Sequence, residues 1–194
     1  NLNTNLDYQD RKLIPNIQQN IKTIKSLCGN TSDLQLSPIT ISGIDCALIC
    51  TEGMLSTQTI TNLILVPLSQ TDFGTVSSIQ MLQSIYKYKL LSTETKEVYD
   101  YGTLFQLINS GFAVLIVDGC DWALAFGVQG YSVKGISEPS SEQNIMGSHE
   151  GFVEQVRTNM SLIRRRMKSP ILKLELHTIG SKSYTDICIC YLTD

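Results

Sequence analysis

Arg164, Arg165 and Arg166 stand in a row, with Arg157 two helical turns upstream, and no other stretch concentrates one chemistry so densely. Guanidinium groups grip carboxylates, phosphates and carbonyls through a planar fork of donors. Such a cluster suits an anion site, a nucleic-acid surface, a salt-bridged face or a docking patch. The remaining reactive residues are sparse. His149 and His177 are the only histidines, and neither has a serine or cysteine at a spacing that suggests a triad. Asp118 and Asp121 in "DGCD" fit tight-turn chemistry better than metal binding. Glu138 and Glu142 flank Pro139 in a stretch that reads as a solvated linker rather than an acid–base pair. No G-x-x-x-x-G-K-[ST] or strand-to-helix G-x-G-x-x-G is present. We therefore expect no enzyme, no cofactor and no metal.

The six cysteines point the same way. Cys46 and Cys50, and Cys188 and Cys190, are evenly spaced, which on a strand sets each pair on one face among aliphatic neighbours. Neither pair has zinc-site spacing. Buried free thiols in a reducing compartment are the expectation, and a disulfide between the two strands the alternative. Net charge is −3, divided as −5 over residues 1–148 and +2 over residues 149–194. An overall acidic field opposes nucleic acid as a partner, although a local basic patch remains.

These residues need elements to hold them. Hydrophobic residues make up 42% of the 194 and charged residues 17%, enough apolar material for a folded core. Leu13, Ile17, Ile21 and Ile24 mark a helix ending at Gly29. "LQLSPITI" and "IDCALIC" form a hairpin about Ser42-Gly43. Ser56 caps a helix that stops near Pro67. "LSQTDFGTVSS" reads as a crossing between subdomains. "IQMLQSIYKYKLL" begins as a helix, with Tyr86–Leu91 readable as strand, where the Tyr/Lys alternation is that of an amphipathic strand. "YGTLFQLINSG" is a helix, "FAVLIVDG" and "WALAFGV" a second hairpin, and "YSVKGI" a third strand. The arginines ride on a helix over 151–168 with Ser148 at its cap. Phe152, Val156, Met160, Ile163 and Met167 form its buried stripe. Consecutive residues turn by about 100°, so the three arginines point in three directions and at least one must find partners inside. Arg165→Ala or Arg166→Ala is expected to lower folding stability, by about 1–3 kcal/mol if a buried charge partner is stranded.

"ILKLELHTIGSKSYTDICICYL" is a final hairpin and reads as a repeat of the first. Leu34, Leu36, Thr40 and Ile41 match Leu172, Leu174, Thr178 and Ile179; with two extra residues in the turn, Ile49 and Cys50 match Ile189 and Cys190. The sequence would then stop partway through a second unit. No apolar run nears the roughly 20 residues that span a bilayer. The polar opening "NLNTNLDYQDRK" is no signal peptide. With no initiator methionine, we expect a soluble piece of a longer polypeptide.

Taken together, "LIVDGCDWAL", Glu138–Pro139 and "GSHEGFVEQVRTNMSLIRRRMKSPILKLELHTIGSKSYTDICICYL" resemble the spore germinant receptor A subunit family. Thr158–Asn159, Leu162 to Arg166 and Glu150-Gly151-Phe152 carry the likeness. Met146, Ser148 and His149 depart from the family's arginine, proline and arginine, so only Glu150, Asn159, Arg164, Arg165 and Arg166 are carried over, with Arg157 added from its stripe. The resemblance implies the hydrophilic N-terminal domain of a receptor subunit in the spore inner membrane, on the core side, with B and C subunits as partners. A small nutrient, amino acid or sugar, is the implied stimulus. The membrane is reached through a C-terminal part lacking here. It further implies an α/β (α+β) fold of two small subdomains with mixed or antiparallel sheets, similar to solute-binding proteins. Residues 1–70 plus 148–194 would form one and 75–137 the other, with linkers at 71–74 and 138–147. Ligand or junction roles would fall to Glu150, Arg157, Asn159, Arg164, Arg165 and Arg166.

Overall fold

The computed structural model describes residues 8–88, 90–91, 93–128 and 152–193. Helix α1 (Ile17–Cys28) starts at Asn16, whose side chain accepts from the Gln19 amide, and ends at Gly29 with φ of 57°. Strands β1 (Leu34–Ile41) and β2 (Ile44–Thr51) pair antiparallel along their full length. Ser42 and Gly43 turn the chain between them with φ of 49° and 80°, the left-handed pair that a two-residue hairpin requires.

Ser56 caps α2 (Thr57–Ile60) as expected, its Oγ accepting from the Thr59 amide at 3.1 Å. The helix does not stop at Pro67. It widens into a π-helical turn over Thr61–Leu65 and continues as α3 (Val66–Gln70). Pro67 sits in the first turn of α3, where a missing amide is tolerated, and the wider turn before it makes room for the ring. Helix α4 (Ser78–Lys87) opens with a capping box between Ser77 and Gln80. It holds Tyr86 and Lys87, with Tyr88 at its C-cap, so these two residues are helical where a strand was the alternative. The strand expected at "YSVKGI" lies outside the described residues. An unforeseen one, β3 (Glu94–Val98), is polar because it forms a sheet edge, where charged residues block unwanted pairing.

Helix α5 (Tyr101–Ile108) leads into the hairpin of β4 (Phe112–Val117) and β5 (Ala123–Gly127). Every residue of β4 is buried, as a continuous aliphatic run demands. The five strands make one antiparallel sheet in the order β1-β2-β4-β5-β3. Alternation along β2 and β4 divides the core into two layers. Ala47, Ile49, Val114 and Ile116 face α1 and α5. Cys46, Leu48, Leu115 and Val117 face α2–α3 and α4 through Ile64, Leu68, Met81, Leu82 and Ile85.

This layering corrects two expectations. Residues 71–77 do not lead from one subdomain to another, since α3 and α4 pack on the same sheet face. The first hairpin also does not group with the last. Hydrogen bonding of β2 to β4 commits residues 34–51 to the sheet that contains 94–127, because only there are both faces of β2 covered.

The second unit is smaller. Helix α6 (Val156–Arg166) packs Met160 against Leu172 and Leu174 of a two-stranded sheet, β6 (Leu172–Ile179) with β7 (Thr185–Leu192). α6 is shorter than expected. It begins after Gln155, which makes no side-chain cap bond, and Phe152 is 72% exposed rather than part of a buried stripe. The expected Ser148 cap and residue Gly151 lie outside the described residues. The repeat also shifts. The final turn holds residues 180–184 against 42–43 in the first, three residues more rather than two. In true register Thr40 faces Asp45 as Thr178 faces Asp186, and Cys190 is the counterpart of Ile49. The matches of Ile49 with Ile189 and Cys50 with Cys190 are out by one residue, which in a strand means the opposite face.

Candidate functional site

Of the three consecutive arginines, α6 sends Arg164 inward. Met160 and Ser161 mark the helix face against the rest of the protein, and Arg164, one turn on, follows it into the junction between the two sheets. Arg164 is 2% exposed and its partner Asp33 3%. Nε donates to Asp33 Oδ2 at 2.7 Å, and Nη2 to Oδ1 at 3.0 Å, the fork-to-fork geometry of a strong pair. The remaining donors are also used. Nη1 reaches the Ser169 carbonyl at 2.8 Å, and Nη2 the Leu172 carbonyl at 3.0 Å and Thr31 Oγ1 at 3.2 Å. The Thr31 hydroxyl in turn donates to Asp33 Oδ1 at 2.6 Å. Burying two charges costs several kcal/mol, and a pair this fully bonded can offset that cost without a large net gain. Its effect is positional. The loop after α1, the end of α6 and the start of β6 are held to one geometry.

A second buried cation flanks the first. Lys173 is 5% exposed, and its ammonium donates at 2.6 Å to the carbonyls of Leu27 and Pro170. Leu27 lies in the last turn of α1, whose unsatisfied carbonyls favour positive charge. Desolvation nevertheless lowers the Lys173 pKa from its ordinary value. Burial likewise pushes the nearby Cys28 thiol up to about 12. Around this core the loop 31–33 closes the edge of β6. The Ser32 amide donates to the Leu174 carbonyl at 2.7 Å, the Leu174 amide to Thr31 Oγ1 at 3.2 Å, and the Leu176 amide to Ser32 Oγ at 3.0 Å.

The other candidates fall at the margins of this junction. Arg157 is exposed and pairs with Glu52 at the end of β2. Asn159 joins α6 to the segment before it, accepting from the Val153 amide at 2.8 Å and donating to the Val153 carbonyl at 2.7 Å. Arg165 is half-buried. Arg166 is exposed and lines an apolar groove of about 420 Å3 with Phe152, Ile163, Met167, Cys190 and Leu192. The buried charge partner that the arginine run called for is Asp33, held by Arg164. Glu150 lies outside the described residues. Asp33, Thr31 and Lys173 were missed. Asp33 looked like part of a helix-ending loop, and no local pattern ties it to a residue 131 positions away.

The thiols divide between the two units. Cys28, Cys46, Cys50 and Cys120 are buried, while Cys188 is half-buried and Cys190 exposed, against the expectation for the last pair. All six are free. Among the described residues no group of three or more metal-ligating side chains converges, and no helix is long and apolar enough to cross a membrane.

Residues 22–194 match the family model described as Bacillus/Clostridium GerA spore germination protein. The chain belongs to this family. It is 32% identical over 181 residues to spore germination protein KA of Bacillus subtilis, a match covering 92% of this chain and 33% of that protein. Spore germination protein B1 of the same organism is 28% identical over 184 residues, covering 92% of this chain and 37% of the relative. The chain thus spans about a third of the length of these relatives. The crystal structure of the N-terminal domain of the A subunit of the Bacillus megaterium spore germinant receptor GerK3 superimposes with a TM-score of 0.68 at 23% identity. That match covers 93% of this chain and 66% of the solved one, and it fits the α+β architecture seen here. Within this GerA-family domain the arginine cluster thus supplies a buried internal cross-link through Arg164 and an exposed one from Arg157 to Glu52.

Proposed function

We propose that this domain is a non-enzymatic relay within the A subunit of a spore germinant receptor, working with B and C subunits at the spore inner membrane and lying on its core side. It passes on a signal that a small nutrient, an amino acid or a sugar, sets off elsewhere in the complex. The observation that carries this reading is the Arg164–Asp33 cross-link, which fixes the α6–β6–β7 unit against the five-stranded sheet. A relay needs parts whose relative position is defined, and a fully bonded buried ion pair defines it in a way that apolar packing alone does not. Family membership supports the receptor setting. Two measurements test the reading. Titrating the domain with amino acids and sugars, followed by amide chemical shifts, is expected to give no saturable change; saturable shifts around Thr31, Asp33 and Arg164 would make it a nutrient-binding module instead. In spores carrying Asp33→Asn at unchanged receptor level, nutrient-triggered germination is expected to slow. A normal germination rate would remove the junction from the signalling route.

A further inference from the structure

Alternation along the edge strand β3 sorts its charges onto the two faces of the large sheet. Val98 is buried in the α1–α5 layer, and Lys96 turns the same way, its ammonium 4.8 Å from the centre of the Phe112 ring. Glu97 therefore faces the α4 side. Tyr99, just past the strand, stacks there on Trp122, which precedes the Ala123 partner of Val98. The ring centroids are 6.3 Å apart and the planes meet at 24°. Trp122 packs its inner side against the α4 layer, while Tyr99 is 47% exposed. Desolvation, and after it the Glu97 carboxylate, raise the Tyr99 phenol from its ordinary value, with Tyr86 and Asp121 adding to the effect. Tyr86 of α4 is 41% exposed, and Glu97 and Asp121 are exposed. Among the described residues neither carboxylate pairs with a cation. Nearby lysines are engaged elsewhere: Lys87 lies over Tyr88 and Lys12 pairs with Asp100. This aromatic corner is diagonally across the sheet from the Arg164–Asp33 junction. β3 is the edge opposite β1, and Tyr99 and Trp122 stand at the end shared with Ile41 and Val117, whereas Asp33 precedes the other end of β1.

We propose that this corner binds a basic segment of a partner polypeptide, one arginine or lysine side chain lying against the exposed face of the Tyr99–Trp122 pair between the Glu97 and Asp121 carboxylates. The negative face of an aromatic ring attracts a cation, and tryptophan does so most strongly. Carboxylates beside the rings neutralise the incoming charge and accept its N–H donors. A neutral ligand such as a sugar would stack on the same rings but leave both carboxylates to be desolvated without a counter-charge, and an anion would be repelled. Stacking already holds Tyr99 and Trp122 in place, so little freedom is lost on binding. Such rings, paired with arginine, are the residue types that dominate interface energetics. The −5 net charge of residues 1–148 steers a basic segment toward this unit. The inference goes beyond the relay reading: it concerns a contact at the far corner of the sheet and is tested by binding, not by germination.

Trp122 is the only tryptophan in the sequence, so its fluorescence reports on this corner. The probe is a capped octapeptide of alternating arginine and glycine, titrated into the 194-residue chain beside a matching glutamate–glycine peptide and glucose. The arginine peptide is expected to change the emission saturably, to shift amides at 86, 97–99 and 121–122, and to bind more weakly as salt rises. Glu97→Gln is expected to weaken its binding about 3-fold and Tyr99→Ala about 5-fold, while Tyr99→Phe, which keeps the ring, stays within about 2-fold of the parent. Glu97→Gln and Tyr99→Phe are close in shape to the parent residues, so the comparison survives if Tyr99→Ala lowers stability. No saturable change, an equal response to the glutamate peptide, or unchanged affinity in both Glu97→Gln and Tyr99→Ala would overturn the proposal. Shifts with glucose but not with the peptide would overturn it in favour of a carbohydrate platform. The same shifts appearing in the chain alone as its concentration and its mass by light scattering rise would overturn it in favour of a second copy.

Discussion

Arg164 and Arg166 are two residues apart and of one type, yet their substitutions should differ several-fold in effect. Arg164→Ala strands the Asp33 carboxylate in a 3%-exposed site, and removing one partner of a buried pair costs about 3–5 kcal/mol. Arg166→Ala acts at an exposed position and is expected to cost about 1 kcal/mol or less. Urea denaturation of the two variants checks this; equal losses would mean that the buried pair contributes nothing distinctive. Replacing both partners with apolar residues, Arg164→Met with Asp33→Leu, should recover much of the stability lost by Arg164→Ala, since no charge is then left unpaired. The arginine run was visible in the sequence, as was the need for one of them to turn inward. Which one did so depended on which face of α6 docks, and the packed face runs through Met160, Ser161 and Arg164.

At the scale of elements, α6 is docked through a close approach as well as an ion pair. Gly53, in the turn after β2, has φ of 77°, and a Cβ there would lie 3.0 Å from Cβ of Ser161. Gly53→Ala is expected to cost about 1–3 kcal/mol from backbone strain and to loosen α6, raising amide exchange along 156–166. Exchange there unchanged from the parent would separate the glycine from helix docking. Helix α4 depends instead on a local device. Ser77→Ala removes the Ser77 Oγ that accepts from the Gln80 amide and should lower stability by about 1 kcal/mol, read as a lower melting temperature. Such caps, the Ser42-Gly43 turn and the α1 terminus at Gly29 were legible because the chemistry is confined to a few adjacent residues. The passage of a helix through Pro67 was not, because it rests on a change of helical pitch upstream.

Across the whole molecule, buried thiols link stability to alkaline pH. Burial pushes Cys28 and Cys46 up to about 12, and Cys50 and Cys120 up to about 11, from an ordinary value of 9.0. Above pH 9 the unfolded chain releases these protons while the folded chain keeps them, so stability falls as pH rises, until the folded thiols ionise in turn. Each thiol contributes at most about 1.4 kcal/mol per pH unit in that window. Lys173 works in the opposite sense. Its lowered pKa means the folded state sheds a proton first, adding stability between that value and the ordinary 10.5. Four groups against one give a net loss, so the denaturation midpoint is expected to drop between pH 8 and pH 10.5. A flat profile would contradict the burial of the thiols.

The sequence by itself determined most of the helices, the three hairpins, the family and the presence of an arginine that must be satisfied internally. Each of these follows from periodicity, turn chemistry or a motif of neighbouring residues, which are local properties. Tertiary structure alone decided that β2 joins β4, that Asp33 is the partner of Arg164, and that Lys173 is buried within an otherwise alternating strand. Those outcomes join positions dozens to more than a hundred residues apart. Strand order and charge pairing are settled only when competing surfaces are covered at the same time, and no short window of sequence records that competition.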